Sequence, residues 1–208
     1  MKQLLLRTFM VSGAIMLSGA MVMAQQQPSN GGMRTPQQNP NPGLNSPQTQ
    51  QQGSMQQDPS MQKMQDRDFV RKAMQGSMAE VQLGQLAEQK SSSQDVKQFA
   101  QKMTQDHSQL DNEMKPIAQQ MGVKTPDKIS KKDEKLNAKL QNMSGKDFND
   151  TYIKAMVKDH ESDLSAFRQE AQTTQNPQLK QAAEQGAQVI EQHLAMIKQI
   201  AKNHGVKA

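Results

Sequence analysis

The sequence predicts an all-α protein: an antiparallel four-helix bundle with a short extra helix in the connection between its second and third long helices. Three observations carry this expectation. Apolar residues recur every three or four positions through four long stretches. Breaks at Ser91-Ser92-Ser93 and at Asn176-Pro177 join the first stretch to the second and the third to the fourth. In each stretch one histidine or glutamate replaces an apolar residue, and the spacing puts all four at one depth.

The first long helix spans about Met64 to Lys90, with Phe69, Ala73, Ser77, Glu80, Gly84 and Ala87 along one stripe flanked by Val70, Met74, Val81, Leu83 and Leu86. Small residues around Glu80 allow a second helix to come close. Ser93 provides an N-cap for the next helix, Gln94 to about Met121, whose seam is Val96, Phe99, Met103, His107, Leu110, Met114, Ile117 and Met121. Pro116 removes a hydrogen bond late in this helix, and Gly122 ends it. A polar connection follows, with a short helix over Lys131 to Asn142 offering Leu136 and Leu140. Ser144 and Asp147 resemble a capping box opening the third long helix, which runs to about Thr174 with Ile153, Val157, His160, Leu164, Phe167 and Ala171 in its stripe. The last helix carries Leu179, Ala182, Gly186, Val189, His193, Ile197, Ile200 and His204, the last a terminal, partly solvated histidine.

Only part of the 208 residues has the composition of a folded domain. Residues 1–24 read as a cleaved signal peptide: Lys2 and Arg7 precede an apolar run from Thr8 to Met23, and the small residue Ala24 suits cleavage. That run is short for a membrane span of about 20 residues, so no transmembrane segment is expected after cleavage. Residues 25–62 form a Gln/Pro/Gly-rich stretch with Arg34 and Asp58 as its charges, read as a disordered linker too poor in apolar surface to offset its ordering entropy. Residues 63–208 are the expected helical domain. These features place the mature chain in the periplasm or outside the cell.

Several function classes are disfavoured. The absence of cysteine excludes disulfides, thiolate nucleophiles and thiolate metal sites. The net charge of +5 falls to +3 once Lys2 and Arg7 are removed, and acidic and basic residues are interleaved along the helices. With one tyrosine and no tryptophan for base stacking, nucleic acid is not an expected partner. No serine, histidine and acid share hydrolase spacing, and no glycine-rich phosphate loop is present. Met61 and Met64 sit together at the linker edge, while Met103, Met114, Met121, Met156 and Met196 fall where core filler belongs, so packing is preferred over copper-binding methionines.

The candidate site is the layer at mid-depth. Glu80 and His107 lie equally far from the turn at Ser93, and His160 and His193 equally far from Asn176-Pro177. At about 1.5 Å rise per residue each sits roughly 20–25 Å from its turn. Two readings are open. The four side chains could hold one transition-metal ion, with zinc, iron, manganese and copper all compatible with the set. Alternatively they form a closed hydrogen-bonded layer that fixes helix register. Asp106, Asp159, Glu161 and Asp163 adjoin the histidines and are expected behind the ligands or at the surface.

The segments DFVRKAMQGSMAEVQLGQLAEQK, FAQKMTQDHSQL, FNDTYIKAMVKDH and EQHL resemble the bacterial domain-of-unknown-function family 4142 over about Asp66 to Ala201. The resemblance implies an exported protein with a ferritin-like four-helix domain, often labelled an outer-membrane protein and without an assigned activity. The family's glutamate, its two Asp-His pairs and its last-helix histidine match Glu80, Asp106 with His107, Asp159 with His160, and His193. Asn149 follows Phe148 where the family has aspartate, and Gly186-Ala187 stands near its usual Leu-Pro element. The Glu-x-x-His pairs of ferritin-like di-iron sites are missing, since Thr104, Val157 and Ile190 precede the three histidines at that spacing. The layer and the export signal make the leading expectation a non-enzymatic envelope protein, metal-binding and stress-related; the alternatives are a structural or protein-interaction module with an envelope protein partner, and an oxidase or peroxidase using a bound metal with an open coordination position.

Overall fold

The computed structural model describes residues 58–207, and the signal peptide and nearly all of the expected linker lie outside them. The described residues form five α-helices and no strand: α1 (Pro59–Lys90), α2 (Gln94–Gln120), α3 (Lys131–Gln141), α4 (Gly145–Thr173) and α5 (Pro177–Asn203). None of these helices is long and apolar enough to cross a membrane.

Local chemistry sets most of the boundaries. α1 starts at Pro59, ahead of the expected Met64, because Asp58 accepts a hydrogen bond from the Ser60 amide at 2.9 Å and Pro59 occupies the first helical position. Residues 59–62 are thus helical rather than linker, and Gln62 is buried. Asn176 caps α5 by accepting from the amides of Gln178 and Leu179, and Ser130 caps α3 through the Asp133 amide. Two expected caps are absent. Ser93 and Ser144 stand at the N-cap positions of α2 and α4 but make no side-chain cap bond. The Ser93 hydroxyl turns instead to Asp95 and His204. α2 contains Pro116 and ends at Gly122, whose φ of +66° closes the helix in the left-handed region glycine favours.

Side-chain contacts give the helix directions. Arg67 near the start of α1 donates to the carbonyls of Met121 and Gly122 at the end of α2, and Gly84 lies against Thr104, so α1 and α2 are antiparallel. Arg168–Glu191 and Lys198–Glu161 contacts, at 2.7 and 2.6 Å, give the same relation for α4 and α5. α1 meets α4 through Asp66–Thr174 at one end and Ser91–Asn149 at the other. α2 meets α5 through Asp106–His193 and Asp95–His204.

Two glycines permit the closest approaches. A Cβ on Gly84 would stand 2.6 Å from Thr104 Oγ1 and 3.0 Å from the Ala100 carbonyl oxygen, and one on Gly186 would stand 2.4 Å from a ring carbon of Phe167. The main core gathers Phe99, Phe148, Tyr152, Ile153, Met156, Ile190 and Ile197, with a second cluster of Val70, Met74, Met114, Ile117 and Leu179. Met196 does not belong to the core: it is 37% exposed, whereas the adjacent Ile197 is fully buried.

Candidate metal centre

The expected layer assembles. Glu80 on α1, His107 on α2, His160 on α4 and His193 on α5 are all buried, the last two with no exposure at all. The imidazoles form a near-equilateral triangle, with centroids 5.8 Å apart for His107 and His160, 5.3 Å for His107 and His193, and 5.6 Å for His160 and His193. One nitrogen from each ring lies within 4.8 Å of the others. Glu80 lies beside this group rather than within it: the converging donor atoms belong to the three histidines, while its Oε2 is 2.8 Å from His107 Nδ1 and its Oε1 3.5 Å from His160 Nδ1. The shorter contact has the length of a hydrogen bond without its direction, and neither His107 nitrogen is hydrogen-bonded.

Neighbouring groups fix two of the rings. His160 Nδ1 is 2.9 Å from the Met156 carbonyl oxygen; a carbonyl can only accept, so Nδ1 carries the proton and Nε2 keeps its lone pair. His193 Nε2 is 2.7 Å from Asp106 Oδ2, which by the same logic leaves the lone pair on Nδ1. His160 Nε2, His193 Nδ1, both nitrogens of His107 and Glu80 Oε1 are buried without a partner. Asp106 is itself held by Lys102 Nζ at 2.7 Å; burial pushes its carboxyl up, but the bonds from Lys102 and His193 outweigh that and hold it below the ordinary range.

Burial sets the protonation of the layer. It drives His107 and His193 down to about 4 and lowers His160, so the imidazoles are neutral at neutral pH. The same desolvation pushes Glu80 up to about 7. Neutral, buried imidazoles, two of them oriented from behind by a carboxylate and a backbone carbonyl, are a donor set that first-row transition ions take.

The other flagged residues fall in different places. Asp159 pairs with Lys132 and Glu161 with Lys198 on the outside. Asp163 lines a cleft leading to Glu80. His204 is partly exposed and contacts Asp95 and Ser93. Sequence reasoning missed a second buried polar group: Asp66 accepts from Gln62 and Thr174 beside Glu170, and burial, reinforced by Asp66, pushes Glu170 up to about 7. The signal available was Glu170 three residues after Phe167 in a helix whose stripe faces inward.

A family described as Domain of unknown function (DUF4142) matches residues 50–200. The chain belongs to the DUF4142 family. All four layer residues lie inside the matched span, which begins ahead of the Asp66 expected from the segment resemblance. This DUF4142 chain is similar in structure to a DUF305 protein from Streptomyces coelicolor, named as secreted, with 13% identity and a TM-score of 0.60 over 69% of this chain and 95% of the other. A DUF305 fragment from Deinococcus radiodurans gives 14% identity and a TM-score of 0.60 over 67% and 96%. At those identities the likeness is one of fold. No curated protein matches the DUF4142 chain.

Proposed function

We propose that this DUF4142 protein is an exported, ferritin-like four-helix bundle that binds one first-row transition-metal ion through Glu80, His107, His160 and His193. The observation carrying this reading is the convergence of three buried imidazoles, one nitrogen of each within 4.8 Å of the others, with His160 Nε2, His193 Nδ1 and both nitrogens of His107 unpartnered. The antiparallel contacts between the four long helices and the likeness to the DUF305 folds support the ferritin-like description. The signal-peptide-like first 24 residues support export, to the periplasm or beyond, with a Gln/Pro-rich spacer preceding the bundle. Di-iron chemistry is not part of this reading, since no Glu-x-x-His pair supplies the ligands of a second ion.

The test is metal analysis of the protein purified from its native envelope, followed by stripping, reloading with each first-row ion and desalting. About one ion per chain and a raised melting temperature are expected for at least one metal. Retention of none, with no thermal shift, refutes the metal reading. A second reading is a structural polar layer in an interaction module, favoured by the contacts that buried Glu80 makes with both His107 and His160. On that reading, Glu80→Ala destabilises the protein equally with and without metal.

A further inference from the structure

Gly76 has no packing reason to be glycine. It lies within α1, where glycine is a poor helix former, and a Cβ there would meet nothing within 4 Å, in contrast to the crowded positions at Gly84 and Gly186. The open space beside it belongs to two cavities of about 200 and 290 Å³ that share Lys72, Gly76, Glu80 and Asp163. These shared residues run from solvent to the layer: the Lys72 side chain is 67% exposed, whereas Glu80 is 5% exposed and its Oε1 lacks a partner. One cavity adds Asp133 and Asp159, the other His107.

We propose that this cleft between α1 and α4 is the entrance by which an aqueous divalent cation reaches the Glu80–histidine layer, with Gly76 keeping the mouth open and Asp163 receiving the ion ahead of Glu80. The inference rests on the metal reading of the layer. Charge and size both suit such cargo. Lys72 at the rim is paired with Asp68 at 2.7 Å, and Lys132 with Asp159 at 2.6 Å, which leaves the carboxyl groups of Asp133 and Asp163 to draw cations into the cleft; burial and the nearby Glu80 and Asp159 push Asp163 up to about 7, so its pull on a cation grows as pH rises through that value. A shell of six waters occupies about 180 Å³ at roughly 30 Å³ each, so a cation enters still carrying most of its hydration and exchanges water for carboxylate oxygen along the way. The groove between α2 and α5, about 340 Å³ and bordered by Asp106, is lined by none of the four layer residues and offers no equivalent route.

The experiment is stopped-flow uptake of cobalt(II) by the metal-stripped protein, purified as its host processes it, following the visible ligand-field bands. Release into excess chelator gives the reverse rate. Gly76→Leu places a side chain at the mouth, starting from a Cβ position with no atom within 4 Å. It is expected to slow uptake and release together by about ten-fold while leaving the equilibrium affinity within two-fold. Asp163→Asn is expected to slow uptake about three- to ten-fold, with the difference shrinking at high salt. Asp150→Asn, the same charge change on another part of α4, leaves uptake unchanged. A cobalt spectrum with wild-type uptake rates in Gly76→Leu and Asp163→Asn overturns the entrance alone; no cobalt bands in the wild type, together with retention of no other first-row ion, overturn the metal reading and the entrance with it.

Discussion

Asp106 Oδ2 stands 2.7 Å from His193 Nε2 and the same distance from Lys102 Nζ, so one carboxylate orients a layer histidine while being anchored at the surface. It does so from behind the ring. Its effect on an ion would be felt through the orientation and basicity of His193, not through contact.

Asp106→Asn therefore serves as a probe of positioning. An amide accepts more weakly and carries no charge, so metal affinity is expected to fall about 10- to 100-fold, the range for partners of ligating histidines. Melting of the metal-free protein should change little. Competition against a chromophoric chelator measures the first effect and calorimetry the second; equal losses in both would assign Asp106 a purely structural role.

His160→Ala removes a fully buried ring whose Nε2 faces the layer. The metal-free variant is expected to lose about 2–3 kcal/mol from the cavity, offset in part by the disappearance of an unpartnered nitrogen. The larger change is the loss of any metal-induced rise in melting temperature, read by thermal scans with and without the ion that the wild type retains.

The three helix-interior glycines should respond to alanine with opposite signs. Gly76→Ala meets no atom and is expected to stabilise the protein by about 0.5–1 kcal/mol. Gly84→Ala drives a methyl group against Thr104 and the Ala100 carbonyl, and Gly186→Ala drives one into Phe167. Each is expected to cost about 1–3 kcal/mol as the helices are pushed apart. Urea titrations of the three variants compare them directly.

The Glu170–Asp66 pair gives a pH dependence of known sign. Burial and Asp66 raise Glu170 from 4.5 to about 7 in the folded chain. Between those values the folded state holds a proton that the unfolded state has lost, so this group's contribution is full below pH 4.5 and is lost as pH rises through 7. Glu170→Gln keeps the shape without the proton. It should match the wild type near pH 5 and exceed it by about 1–2 kcal/mol at pH 8, in denaturation experiments run at both pH values. A constant difference between the two proteins would show that Glu170 does not titrate in this range.

The layer was legible in the sequence because depth in a helical hairpin is arithmetic. Glu80 and His107 are equidistant from the Ser93 turn, and His160 and His193 from Asn176-Pro177, so their levels follow from residue numbers alone. Helix extents followed from apolar spacing to within a residue or two, save at α1, where Asp58 and Pro59 start the helix inside the expected linker. What did not follow was rotation. Whether Asp163 turns toward Glu80 or toward water, and whether Asp106 reaches across to α5, depends on the angle of each helix about its axis. A shift of one residue along the chain changes that angle by about 100°. Cavities were equally invisible, since the space beside Gly76 is defined by residues on three helices.

The chain bends back on itself twice, and each of the two resulting hairpins brings two of the four layer residues: Glu80 and His107 from α1 and α2, His160 and His193 from α4 and α5. If the layer binds an ion as proposed, each hairpin is a half-site, with too few donors to retain the ion by itself. On the proposed reading, an ion would clasp one half of the domain to the other, and any excursion that parts the hairpins would release it. Occupancy would then report on whether the two halves are closed, and a strong chelator would act on this domain as a lever on its tertiary structure without touching the helices themselves.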